Sequence, residues 1–228
     1  MTINPKTIKY LNRIFLPAFL FIFSNAFSQT INWNNTEHRN ILNVNVAAEN
    51  SNYIGLGYAY KINNGKKPIF ITAETSFSVE NDKFDDYNSR IGIQMKIFQW
   101  QNYVFSSKTH FVYSFYNADI MKLYNFGTNL SWDFGFYLPK WFISAEGGYD
   151  RILTSYIKYS NVYKSQFPNV KDGCDETYTD GNFYYRINGG YTFGNKDITL
   201  SVGNVINQDF RNSSSSSFYS QIGFNYKF

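Results

Sequence analysis

Disulfides are the first thing this chain does without. Cys174 is its single cysteine, which excludes an intramolecular bridge and leaves a surface thiol, with pairing to a second chain as the alternative. Histidine is nearly missing too, with only His38 and His110. No His/Cys/carboxylate group therefore stands at metal-ligand spacing, and neither metal nor cofactor is expected. The chain has no GxSxG elbow, no Asp-x-His pair and no glycine-rich loop opening a helix. Charged residues make up 17% of the chain and the net charge is +4. Part of that charge sits before residue 28, so no nucleic-acid partner is implied. Past residue 28, no apolar run approaches the roughly 20 residues of a membrane-spanning helix.

Against these gaps stands an excess of aromatic side chains. Tyr, Phe and Trp are 21% of residues, while prolines number only five. Aromatics this dense, yet never in one continuous apolar run, fit strands that turn one face to lipid.

The N-terminus carries Lys6, Lys9 and Arg13, then the apolar run IFLPAFLFIF at 14–23, then SNAFS with Ala26 and Ser28 as small residues. Basic, apolar and small regions in that order read as a cleaved secretory signal peptide, 1–28, with the mature chain starting near Gln29. A retained anchor fits less well, because the run is about half the roughly 20 residues required and Pro17 interrupts it. Residues 29–38 are then a periplasmic N-terminal segment, and 39–228 the main domain.

Period-2 alternation continues to the chain end in ten segments: 39–49, 52–62, 68–80, 87–99, 102–116, 121–138, 141–156, 182–194, 197–206 and 217–228. Most reach the roughly 9 to 11 residues of a tilted transmembrane strand. In 103–115, Tyr103, Phe105, Thr109, Phe111, Tyr113 and Phe115 share one face, and Ser106, Lys108, His110 and Ser114 the other. In 124–136, Tyr124, Phe126, Leu130, Trp132, Phe134 and Phe136 oppose Asn125, Asn129, Ser131 and Asp133. A soluble sandwich would fill its buried face with Val, Ile and Leu rather than this much Tyr, Phe and Trp.

With the N-terminus in the periplasm, connections alternate between short turns and longer surface loops. The short ones are 63–67, 99–102, 138–141 and 193–196; the longer ones are 79–86, 116–121, 157–181 and 207–217. The first outer connection, 49–52, is short. An even strand number with this alternation predicts a closed antiparallel transmembrane β-barrel of ten strands, or of eight if two segments lie outside the membrane. Such closure would pair the last segment with the first, leaving no edge where Phe218, Ile222, Phe224, Tyr226 and Phe228 end the chain.

The ending IGFNYKF resembles the terminal signal of outer-membrane barrels, an aromatic-x-aromatic strand with Phe last, here Phe224, Tyr226 and Phe228. The architecture is similar to small bacterial barrels of the OmpA-transmembrane and OmpX kind. That resemblance implies residence in the outer membrane of a Gram-negative cell, contact with its lipid, and recognition by the barrel-assembly machinery.

If the aromatic side faces lipid, the lumen receives Glu74, Arg90, Gln94, Lys96, Lys108, His110, Asp133, Glu146, Asp150 and Arg186, together with Asn125, Asn129, Asn188, Gln221 and Asn225. One reading makes these a paired network that fills a narrow barrel, because eight to ten strands leave room for side chains or one small ligand. A second, porin-like reading makes them the lining of a narrow channel, with Arg90, Lys96, Lys108 and Arg186 setting selectivity. A third is an outer-membrane enzyme, for which His110 is the sole inward histidine. Glycines at inward positions, among them Gly148 and Gly190, would bend the sheet at barrel corners or leave room for bulky neighbours such as Tyr137 and Phe142. The 157–181 connection mixes aromatics with Asp172, Asp175, Glu176 and Asp180 in no EF-hand spacing. It is expected to be the contact point for a protein or small-ligand partner. The expected function is a non-enzymatic membrane scaffold with specific outer loops.

Overall fold

Backbone groups inside a bilayer find no water, so strands cross it only where every N–H and C=O is paired and the sheet has no edge. The computed structural model describes residues 29–48, 52–63, 65, 67–79, 86–175, 181–207 and 217–228. Its strands are β1 (Asn40–Ala48), β2 (Asn52–Lys61), β3 (Ile69–Ser78), β4 (Asp86–Trp100), β5 (Tyr103–Ala118), β6 (Met121–Tyr137), β7 (Trp141–Tyr159), β8 (Gly173–Asp175), β9 (Gly181–Phe193), β10 (Lys196–Asn207) and β11 (Ser217–Lys227). All but β8 form one closed antiparallel ring, with β7 paired to both β6 and β9. The barrel thus has ten strands, and β8 is an eleventh that extends the sheet from the outer end of β7 at Ser155, Tyr156 and Ile157. The eight-strand alternative is excluded.

Closure occurs where the chain ends. Strand β11 pairs with β1 from Ile41↔Lys227 to Ala48↔Ser220. Beyond that ladder, Asn40 and Phe228 exchange backbone hydrogen bonds, N to O, at 2.9 Å in each direction. Phe224, Tyr226 and Phe228 all point outward.

The outward face is apolar at mid-height, with Val44, Leu56, Ile91, Phe111, Leu130, Ile187, Leu200 and Ile222 exposed. Aromatic rows flank it. Near the periplasmic rim Trp100 stacks on Tyr103, with ring centroids 6.1 Å apart, and Phe136 meets Trp141 at 5.6 Å. Near the outer rim Tyr87, Phe115, Tyr124 and Tyr156 run from strand to strand at 5.2, 5.0 and 6.0 Å. A closed sheet with an apolar band between two aromatic girdles is a membrane-spanning barrel. The chain is an integral, multi-pass protein of the outer membrane. No helix among the described residues is long and apolar enough to cross a membrane.

The periplasmic turns are tight. Gln101 and Asn102 connect β4 to β5 with Gln101 at φ 54°, and Gly194 (φ 63°) and Asn195 connect β9 to β10. Positive φ at the first turn position matches the twist of a two-residue hairpin. Two bulges interrupt the alternation, at Lys96/Phe98 on β4 and opposite Phe126/Gly127 on β7. At the first, Ile97 and Phe98 both face outward while Lys96 stays inward. An extra unpaired residue has this effect on facing.

Two outer connections differ from expectation. The 116–121 stretch is no loop: β5 continues to Ala118 and β6 resumes at Met121, so Asp119 and Ile120 alone make the turn. Cross-strand pairs up to Ala118↔Met121 satisfy backbone that would otherwise be solvated. The 157–181 stretch carries structure of its own. Strand β7 runs on to Tyr159, helix α1 (Asn161–Gln166) follows with Ser160 accepting from the Tyr163 N–H, and β8 comes next. Residues 49–51, 80–85, 176–180 and 208–216, which hold most of the remaining outer loops, lie outside the described residues.

Candidate functional site

Every second residue of each strand points into the barrel, so the lumen collects polar side chains from all sides and must pair them internally. All ten predicted lumen residues point inward. The network centres on Glu146 of β7. Its cross-strand neighbour Arg186 on β9 donates from Nη2 to Oε1 and Oε2 at 2.6 and 2.7 Å, a two-pronged contact in the low-dielectric interior. Lys108 Nζ reaches Glu146 Oε2 at 3.0 Å from β5, and Asn188 Nδ2 at 3.2 Å. On its far side Arg186 donates to the Tyr219 hydroxyl at 2.9 Å.

A second carboxylate, Asp133, faces Glu146 directly across the β6–β7 ladder. Like charges so placed repel, and Asp133 is compensated by donors: the Tyr137 hydroxyl at 2.5 Å, Ser144 at 2.7 Å and Asn188 at 3.3 Å. Asp150 accepts from Asn129 at 2.7 Å, and Asn129 also contacts the Tyr184 hydroxyl at 3.0 Å. Arg90 lies across from Glu74 in the β3–β4 register and donates to Asn88 at 3.2 Å. His110 is buried, with Nε2 at 3.0 Å from Thr72 Oγ1. Gln94 is buried as well, and Lys96 donates to Gln99 at 2.7 Å near the periplasmic rim.

Two of the larger side chains fit because glycines face them. A Cβ on Gly148 would stand 2.3 Å from the Tyr184 ring, and one on Gly190 would stand 2.2 Å from Phe142. Phe142 in turn stacks on Tyr137 at 5.2 Å.

Two features lie outside the sequence expectations. One is a buried ion pair between Asp197 and Lys227, 2.8 Å apart, with Thr192 and Asn225 also donating to Asp197 at 2.7 and 3.3 Å. Alternation does put Lys227 on the inward side, but Asp197 opens its segment, where a carboxylate reads as a turn residue. The other is the N-terminal segment. Residues 29–33 are buried inside the barrel rather than lying free below it. Ile31 and Trp33 form one apolar cluster with Ile41, Ala59, Phe70, Val104, Tyr137 and Phe142. Trp33 meets Phe70 edge-on with centroids 6.0 Å apart.

Polar contacts tie this segment to strands all round the ring. Asn225 donates to the Thr30 carbonyl at 2.8 Å, and Asn32 donates to Leu138 O and Thr192 Oγ1 at 3.1 and 2.9 Å. Asn34 donates to the Tyr137 carbonyl, and Lys227 reaches the Asn35 carbonyl at 3.3 Å. A Trp between polar residues in a short pre-strand segment is the one sequence signal that pointed here.

The outer rim is the other candidate. A cavity of about 440 Å³ opens there between Asn117, Asp119, Lys122, Lys158, Tyr159 and Asn161. Asp172 anchors the neighbouring helix, accepting from Lys164 Nζ at 2.7 Å and from the Tyr159 N–H at 2.9 Å. Those two donors hold its carboxyl below the ordinary range. Cys174 is exposed on β8. Among the described residues no cluster of His, Cys, Asp or Glu could hold a metal ion.

No protein-family model matches the chain, and no curated protein matches its sequence. Solved structures share its barrel architecture. The KdgM porin is 11% identical with a TM-score of 0.42, over 82% of this chain and 99% of that one. The outer membrane protease OmpT from Escherichia coli is 9% identical with a TM-score of 0.46, over 90% of this chain and 100% of that one. The N-terminal β-barrel domain of Pseudomonas aeruginosa OprF is 10% identical with a TM-score of 0.38, over 84% and 98%. These likenesses are of fold, and the chain takes no function from them.

Proposed function

We propose that this protein is a non-enzymatic outer-membrane barrel, closed to solutes, that presents a recognition surface at its outer rim. The observation behind this reading is the content of the lumen. Arg186, Lys108, Glu146 and Asp133 cross it in one paired network, and residues 29–33 occupy its periplasmic half. Ion pairs buried in this way act as a core, and opening it would leave buried charges unpaired. His110 is shut inside that core, away from any substrate at the surface.

The rim has the features of a binding surface. It carries a helix and a short strand built onto β7, a cavity large enough for a small ligand, and basic side chains at Lys122 and Lys158. A protein or small-ligand partner would dock there. Conductance of refolded 29–228 in a planar bilayer tests the reading. A folded barrel is expected to stay silent. Stable conductance steps would overturn closure and favour a narrow channel, with Arg90, Lys96, Lys108 and Arg186 as selectivity residues.

A further inference from the structure

We infer that the α-ammonium group of a mature chain starting at Gln29 is itself a lumen side group, paired with Glu74, and that this pair pins residues 29–35 in the barrel as a plug. The inference deepens the closed-barrel reading and rests on it only for the consequence that the plug helps to seal the lumen.

The geometry comes first. The Gln29 nitrogen lies 2.8 Å from Glu74 Oε1 although the two residues are 45 apart in sequence. Gln29 is 1% exposed, and its carbonyl accepts from Lys108 Nζ at 3.4 Å. The chain therefore enters the periplasmic rim with its start deep in the charged lumen and its end at Asn40.

Charge count alone leaves the lumen neutral. Among the described inward-facing groups, the six carboxylates of Glu74, Asp86, Asp133, Glu146, Asp150 and Asp197 are matched by the six cations of Lys61, Arg90, Lys96, Lys108, Arg186 and Lys227. Position selects the partner: an ammonium buried at Gln29 needs a carboxylate within hydrogen-bond distance, and Glu74 stands there.

Hydrolysis of the Ser28–Gln29 bond by a signal peptidase supplies that charge. Water adds across the peptide bond, Ser28 leaves as a carboxylate, and the freed Gln29 amine takes up a proton beside Glu74. An unprocessed chain would offer Glu74 only a neutral amide N–H. Processing is thus the precondition of the anchor in this reading: cutting the leader creates the group that fixes the plug.

The test uses the full chain exported in a Gram-negative host and the mature protein purified from outer membranes. An amine-selective acylating reagent is applied to folded and to urea-unfolded samples, and the N-terminal peptide is read by mass spectrometry. The expected result is a peptide beginning at Gln29 whose α-amine reacts about tenfold or more slowly when folded, as burial behind local opening requires. Glu74→Gln should shorten that protection several-fold in protein that still migrates as a folded barrel.

Equal labelling of folded and unfolded wild type, a different first residue, or no free amine in the unfolded chain would each overturn the proposal without recourse to the variant. Bilayer conductance of the same wild-type sample separates the two readings. Steps from a barrel with a protected N-terminus would refute closure and leave the Glu74 anchor standing.

Discussion

Arg186 grips both carboxylate oxygens of Glu146 across the β7–β9 ladder, and neither side chain has any exposed surface. A pair held this way fixes the relative height of two strands that would otherwise be free to slip, because a shift of one residue would turn each side chain into lipid.

Breaking that pair from one side should therefore be severe. Arg186→Met leaves Glu146 with Lys108 alone as a charged partner and is expected to lower unfolding free energy by about 3–5 kcal/mol. Glu146→Gln combined with Arg186→Met should cost less than the two single losses added together. Urea titration of the folded band on unheated gels measures all three. Strict additivity would show that the pair is not coupled.

The N-terminal occupant predicts a separable defect. Trp33→Ala removes the largest side chain of the plug and should destabilise by about 3–5 kcal/mol if the cavity stays open. The strands cross the membrane without it, so barrel migration should survive while a protease added from the periplasmic side cleaves near residues 29–38. Unchanged protease resistance would mean that the segment is held by its polar contacts alone.

The lipid face can be tested at mid-height. Phe111 is 68% exposed on β5, and His110, next to it in the strand, points inward. Phe111→Arg puts a charge in hydrocarbon and should cost about 2–4 kcal/mol, whereas Lys122→Arg near the rim should cost almost nothing. Equal effects in refolding yield and unfolding midpoint would remove the assignment of faces.

Acid should act on the outer rim selectively. The folded Asp172 carboxyl titrates below its ordinary value of 3.8, held down first by the Lys164 hydrogen bond and then by the Tyr159 N–H. A depressed folded value means that the clip between α1 and β7 is complete above the ordinary carboxylate pKa and is lost as pH falls through the folded one. Proteolysis within 160–172 should therefore be slow at neutral pH and rise only in strong acid. Asp172→Asn should make the segment sensitive at every pH.

The sequence by itself determined the barrel. Period-2 alternation is a one-dimensional property, so facing was legible for Phe111 and Lys108, for Trp132 and Asp133, and for Phe224 and Asn225. The number of alternating stretches set the strand count. Lipid outside and polar side chains inside reward that pattern directly, and no long-range information is needed to read it.

Only the tertiary structure decided who pairs with whom. Alternation places Asp133, Glu146, Arg186 and Lys108 in the same lumen, but barrel closure and strand register bring Arg186 rather than Lys96 to Glu146. The bulges at Lys96/Phe98 and Phe126/Gly127 were invisible because an extra residue leaves composition unchanged and alters only facing. Least legible was the segment at Gln29, Ile31 and Trp33. It is too short for a period to declare itself, and its environment consists of side chains from strands up to 195 residues away, such as Asn225 on Thr30. An interior assembled from the whole ring exists only once the ring has closed.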